Sequence, residues 1–466
     1  MRKILVGILV LLSTLTVAAQ PRTGYFVESF TLNHRMNPSF APRQGYVGIP
    51  VLSNIDLNIN SNLGASTLLY PLDNGRLGLF LHPEVTSDEF LGQLSKQNYL
   101  DAVVGLDVIN VGFYTGKSSF WTLDAGVNIA VKTSLPYELF QFLKEGMNGK
   151  QEFYQMDNLG AAADVYGYVS LGYSSNLDKL VKGLRIGAKA KFLVGMMNVY
   201  AQYETLNLSM SSQKWSVSGI GAGRILGGGL NFTYDSETGG VNGIELDPSA
   251  LGVGGLGAAF DFGIQYRISE GCILDGLRFS AAVLDLGFIS YYADKATFVK
   301  SDGAVEYNGF ENITDGEAAI NEQLDDLLNR AMGLVTFKKQ ESEGDQMVYL
   351  STKVNAGIDY TFLKNKMNVG ILYSGAYSKL RDKHEFMVSF NYAPKDWFDV
   401  ALSYSFMNTR SSLGWLLTFT PNKGMNFFIG SDYTAFKFTP QGIPVDKAFI
   451  GLNLGMSVPI GGKRAR

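Results

Sequence analysis

One cysteine, three histidines and a low charge density set the first bounds on this 466-residue chain. Cys272 has no partner, which excludes a disulfide-stapled scaffold. His34, His82 and His384 do not recur at a metal-binding spacing, so no metal site is expected. Charged residues make up 18% of the chain, below the roughly 25% of an average soluble domain. Basic residues do not predominate either. The net charge is −4, which argues against a nucleic-acid binder. No G-x-S-x-G elbow occurs. The glycines of 219–257 precede neither a Lys-Ser/Thr pair nor a helix start, so they are not a phosphate loop. Neither an enzyme nor a cofactor is expected. After residue 19 there is no apolar run of 18 residues, hence no membrane-spanning helix.

What is present is glycine (53 residues), 46% hydrophobic residues and 12% aromatics. The mean hydropathy is only +0.05. Apolar content this high excludes general disorder. The combination fits a large β structure whose apolar residues are diluted by polar ones at short range, as in a transmembrane barrel.

Residues 1–19 read as a signal peptide. Arg2 and Lys3 precede an apolar stretch from Ile4 to Val17, and Val17-Ala18-Ala19 offers small residues for cleavage before Gln20. The mature chain is then periplasmic, secreted or in the outer membrane of a Gram-negative cell.

Period-two alternation selects among these. Leu184, Ile186, Ala188, Ala190 and Phe192 oppose Arg185, Gly187, Lys189 and Lys191. Phe260, Phe262, Ile264 and Tyr266 oppose Asp261, Gly263, Gln265 and Arg267. Val354, Ala356, Ile358 and Tyr360 oppose Lys353, Asn355, Gly357 and Asp359. Runs of about 10 residues suit a tilted strand crossing a bilayer. Aromatics gather at strand ends, with Tyr392, Trp397, Phe398, Phe419, Phe427 and Phe428 beside two Pro-containing turns.

The fold class expected is all-β: a transmembrane antiparallel β-barrel of about 14 strands (range 12–16). Fourteen strands are read from 101 onward, near 101–114, 119–132, 160–173, 184–195, 199–211, 258–269 and 277–290, then from 348, 366, 383, 397, 411, 424 and 447. Weaker ones fall near 47–59 and 76–82. The expected organisation is a signal peptide (1–19), an N-terminal hatch (20–46), the barrel (47–460) and a basic tail (461–466). Helical insertions are expected near 87–97, 135–147 and 314–332. Thr86 with Glu89, and Thr314 with Glu317, form capping boxes. The stretch 219–257 reads as a flexible outer loop.

If the apolar faces meet lipid, a set of charges points into the lumen: Arg185, Lys189, Lys191, Asp261, Gln265, Arg267, Lys353 and Asp359. They line a polar ligand path or fill a closed interior as ion pairs, and the sequence leaves both open.

Asn33-His34-Arg35-Met36-Asn37-Pro38-Ser39-Phe40-Ala41-Pro42, the run 184–195 and Leu135-Pro136-Tyr137-Glu138-Leu139-Phe140 carry a family likeness. In these motifs the chain resembles the FadL-type superfamily of outer-membrane barrels, and a group of uncharacterised Gram-negative barrels within it. The resemblance implies 14 strands, with an N-terminal hatch inside the barrel that holds Asn37 and Pro38. It also implies passage of a hydrophobic small molecule across the outer membrane, or an accessory role with a secretion-system or surface protein. The chain ends in Gly-Gly-Lys-Arg-Ala-Arg, without the terminal aromatic common in such barrels.

Overall fold

The structure is a computed structural model. It describes residues 22–146, 153–210, 215–234, 241–246, 252–268, 274–307, 338–340, 344–363, 365–407, 410–421, 424–434 and 447–462. The signal peptide, Cys272, the basic tail from 463 and the helix expected at 314–332 lie outside them.

The described strands close into an antiparallel transmembrane barrel with fourteen wall positions. Position one is split into Gly45–Gly48 and Ile55–Gly64. Four unbroken strands follow: Leu100–Thr115, Ser119–Pro136, Phe153–Asn176 and Leu184–Met210. Position six joins Trp215–Gly227 to Gly255–Arg267, and position seven joins Leu277–Tyr291 to Ala296–Tyr307. Position eight is formed mainly by Gln346–Tyr349 and Thr352–Phe362. Six more strands complete the wall: Met367–Tyr377, Lys383–Lys395, Phe398–Met407, Arg410–Phe419, Asn426–Thr434 and Lys447–Ile460. The last strand pairs with the first, Val47 opposite Val458 and Ile55 opposite Leu454.

The pleat explains the low mean hydropathy. Along Lys383–Lys395, Phe386 and Val388 are 54% and 47% exposed on the outer face, while Glu385 and Ser389 are 1% and 3% exposed within. Successive side chains in a strand alternate faces, so each crossing spends half its residues on lipid.

The fourteen positions are not composed as the sequence suggests. The runs 184–195 and 199–211 are a single 27-residue strand. A bulge at Met196 resets its parity, since Tyr166 opposes Gly195 but Val165 opposes Met197. The place thus vacated is filled by the split strand 45–64. Leu77–Leu79 lies outside the wall, in a two-stranded hairpin with Leu69–Pro71. Much of the stretch expected as a loop at 219–257 is strand. Its glycines make room for a ring: a Cβ on Gly221 would stand 2.7 Å from Tyr203. The expected helix 87–97 spans only Ser87–Leu91, with Thr86 Oγ accepting from Glu89 N at 3.2 Å. That expected over 135–147 is Tyr137–Glu145, because the strand before it runs on to Pro136.

Short turns gather at the end where the chain closes, near 116–118, 365–366 and 396–397. Trp397, Phe398, Phe419 and Phe427 stack there, with Phe398 and Phe419 4.8 Å apart. Phe428 departs from this girdle: it faces inward and meets Phe30 edge-on at 5.0 Å.

Residues 22–44 thread the lumen from the long-loop end, where Arg22 meets Glu385, to the short-turn end, where Gly45 pairs with Ile460. Tyr25, Phe26, Val27, Phe30, Leu32, Met36 and Phe40 form an apolar core inside the barrel against Leu372, Met387, Ala401, Leu416 and Phe428. Part of the lumen is therefore filled by an apolar core, a feature alternation does not announce.

Candidate functional site

Asn37 and Pro38 form the corner by which this segment, hereafter the hatch, meets the wall. Asn37 Oδ1 accepts from Ser39 N at 2.9 Å and from Ser39 Oγ at 2.7 Å, closing a tight turn. Asn37 Nδ2 donates to Ile264 O (3.3 Å) and Ala281 O (3.2 Å) on the wall. The approach is so close that two wall positions tolerate no side chain. A Cβ on Gly187 would stand 2.1 Å from Pro38 O, and one on Gly263 would stand 2.1 Å from Asn37 Oδ1. Both residues of the motif therefore have a structural partner in the wall.

Above this corner lies a chamber of about 170 Å³ lined by Arg35, Asp124, Lys189, Lys191, Asp261 and Lys353 among others. Lys189 Nζ lies 2.7 Å from Asp124 Oδ2. Lys191 reaches Asp261 at 2.8 Å and also Asp285. Lys353 reaches Asp285 at 2.9 Å. Four of the residues singled out in the sequence, Lys189, Lys191, Asp261 and Lys353, thus come together, and they do so as ion pairs. Burial of such charges is tolerated only with partners in good geometry.

His34 ties the hatch to this network. Lys189 Nζ lies 3.1 Å from His34 Nδ1. An ammonium can only donate, so Nδ1 accepts and the ring proton sits on Nε2, facing Tyr46 Oη at 2.7 Å. Burial, and then the Lys189 charge, hold the imidazole well below its ordinary pKa, with Asp124 opposing. It is neutral here. Arg35 behaves oppositely. Burial works against its charge, but Asp107 and its neighbours more than offset that and hold it well above its ordinary range.

Arg35 Nη2 donates to Asp107 Oδ1 at 2.7 Å, and Asn110 donates to the other carboxylate oxygen at 3.1 Å. Asp107 occupies a break in the wall. The register shifts between Asp107 and Ile109, and the neighbouring strand is interrupted at 49–54, where Val51 has φ of 68°. Backbone bonds lace the break: Val51 N to Asp107 O at 3.1 Å and Asp107 N to Asn54 O at 3.2 Å.

The remaining four residues lie below, around a vestibule of about 290 Å³ at the short-turn end, or beside it. Arg185, Gln265 and Arg267 line it. Arg267 pairs with Glu28 of the hatch. Gln265 Nε2 donates to Ser39 O at 3.3 Å. Asp359 accepts from Arg278 Nε at 2.9 Å.

Sequence reading passed over Asp107, Asp285 and Arg35. The two aspartates sit at bulges, where parity fails: Val108 and Ile109 both face outward, and Leu284 and Asp285 both face inward. Arg35 lies in irregular backbone without periodicity. Asp124 lies on the inward, polar face of the strand Ser119–Pro136, 1% exposed at its side chain. Among the described residues no cluster of His, Cys, Asp and Glu could hold a metal ion.

The chain matches the model of a family of unknown function (DUF5723) over residues 38–432. No curated protein matches it. Among solved structures, it is similar to the toluene transporter TbuX of Ralstonia pickettii at 8% identity and TM-score 0.39, over 93% of this chain and 94% of that one. It is similar to the toluene transporter TodX of Pseudomonas putida at 10% and 0.38, over 95% of each. A third is the monoaromatic hydrocarbon channel CymD, at 10% and 0.31, over 97% and 100%. These are FadL-type barrels, the superfamily the N-terminal motif resembles.

Proposed function

The chain belongs to that family of unknown function, and from this premise we propose that it is an outer-membrane barrel taking up a small hydrophobic molecule through its wall. The observation that carries the reading is the Arg35–Asp107 latch. It joins the hatch to the place where one wall strand is interrupted and the next is bulged. An axial route for an apolar molecule would meet paired charges in the chamber and then a packed core. A route across the wall at 49–54 and 107–109 bypasses the packed core and meets, of the chamber's ion pairs, Arg35–Asp107. In this reading the signal peptide is removed before Gln20, and the short turns face the periplasm.

The test is entry of the apolar dye N-phenylnaphthylamine into Gram-negative host cells displaying the barrel. Faster entry than in cells without it is expected, with Arg35→Ala changing the rate. Proteoliposomes should not swell in a small sugar. Free sugar passage with unchanged dye entry would end the proposal.

A second reading, a barrel that docks a secretion or surface-assembly protein, is favoured by Leu77, Leu79 and Leu81. These stand 43–49% exposed on the insertion beyond the long-loop rim. Loss of a co-purifying protein on changing all three to Ser would support it.

A further inference from the structure

We propose that a groove on the outer wall, far round the barrel from the wall break, holds one acyl chain of a membrane lipid whose headgroup oxygens reach Tyr377 and His384. The groove has a volume of about 550 Å³ and crosses positions six to ten of the wall. Its floor is Ala281 and Ala356, which stand opposite each other in the ladder with exposed, outward-facing side chains. Its sides are large. Ile264 lies opposite Ala281, Tyr373 opposite Ala356 and Phe386 opposite Tyr373, while Phe279 and Ile358 close the lower edge. The hatch does not account for the two alanines. Its close approach restricts the inner face, where a Cβ on Gly263 would stand 2.1 Å from Asn37 Oδ1 and one on Gly357 2.9 Å from Phe26. Neighbouring residues in a strand point to opposite faces, so that inner limit leaves positions 281 and 356 free to carry larger residues.

Toward the long loops the groove ends in polar rings. Tyr373 lines it, and its hydroxyl lies 2.8 Å from His384 Nδ1 and 3.1 Å from Tyr377 Oη. The Tyr373 and His384 rings stack at 6.2 Å across Gly375, where a Cβ would stand 2.8 Å from the Tyr373 hydroxyl. His384 precedes the inward Glu385 and so lies on the outer face. Its Nε2 has no hydrogen-bond partner among the described residues. Tyr377 is 40% exposed. From Tyr373 to Tyr377 is about 13 Å of strand, which brings the cluster to the long-loop rim, where hydrocarbon gives way to headgroups. Rings with polar tips at that level suit the ester, hydroxyl or phosphate oxygens of a lipid. What covers the groove follows from the fold, since the outer face of a transmembrane barrel meets lipid. A notch walled by carbon on several sides gives a seated chain more dispersion contacts than the flat wall does. The inference does not depend on what crosses the wall.

The experiment is native mass spectrometry of the full-length barrel in detergent, offered palmitoyl-oleoyl phosphatidylethanolamine or, separately, lipid A. Retention of one lipid per barrel is expected, and which lipid stays assigns the headgroup. The double variant A281F/A356F fills the groove from the outer face and should abolish retention. V169F, on the outer face of the strand Phe153–Asn176, should not. Y377F/H384F keeps rings at both places and removes their polar atoms, so it should weaken retention of the same lipid. Heat-modifiable migration verifies that each variant is a folded barrel. Y377F/H384F keeps the test open if A281F/A356F fails to fold. Retention of neither lipid, retention undiminished in either double variant, or a second copy of the barrel held by this face instead would overturn the proposal.

Discussion

The chamber above the hatch and the vestibule below it use the same residue types and differ in how charge is matched. Above, Arg35, Lys189, Lys191 and Lys353 each meet an aspartate within 3 Å. Below, cations outnumber carboxylates. Matched buried charges hold parts in register and project little field. Charges near water contribute little to stability. One lumen thus holds paired charge at one level and a largely cationic lining at the next.

The comparison breaks if charge removal does the same in both places. Asp124→Ala should have the largest effect. It leaves Lys189 buried without its carboxylate, a change that costs about 3–5 kcal/mol. Hydrogen exchange over residues 33–37 should rise accordingly. An unchanged exchange pattern would mean that the chamber does not hold the hatch. Gly187→Ala comes next, at about 1–3 kcal/mol by overpacking. Its methyl would stand 2.1 Å from Pro38 O, so the Asn-Pro corner must leave the wall. Proteolysis within residues 36–42 of the intact barrel would report the displacement, and protection equal to the parent would sink the account.

Much of this barrel was legible because its physics is local. The stretch 385–393 alternates without a fault, and so its faces follow from its letters. Faults in alternation are what misled. Met196 makes one long strand look like two, and the break at 49–54 makes a wall strand look doubtful. Asp107 and Asp285 are concealed for the same reason. The hatch core was hidden differently. Tyr25, Phe26, Phe30 and Phe40 have no period, because irregular backbone follows its container. The lumen lysines were found, but nothing local says that Lys189 meets Asp124, 65 residues away.

Protonation sharpens the chamber side. His34 is held neutral among Lys189, Arg35, Asp124 and Tyr46, with its pKa well below 6.5. An undocked His34 would titrate near 6.5, so below that pH the undocked hatch binds a proton that the docked one refuses. Stability therefore falls as pH drops from about 6.5 toward the docked pKa, by about 1.4 kcal/mol per pH unit while only the undocked form is protonated. Hydrogen exchange at pH 7.5 and 5.5 should show this slope, and His34→Gln should abolish it. A slope that survives in the variant would assign the effect to other groups.

The smallest stability effect belongs to the vestibule. Lys117 is exposed on the turn 116–118, whose tight reversal rests on Gly116 at φ of 63°. Lys117→Gln removes charge without disturbing that turn, so barrel stability should stay within about 0.5 kcal/mol. The melting temperature in the gel-shift assay measures it. Because the like charges around it repel one another, the variant should stand level with the parent or slightly above it at low salt, and that difference should vanish at high salt. A marked loss of stability would mean that Lys117 holds the fold as Lys189 does, and the two levels of the lumen would no longer differ in kind.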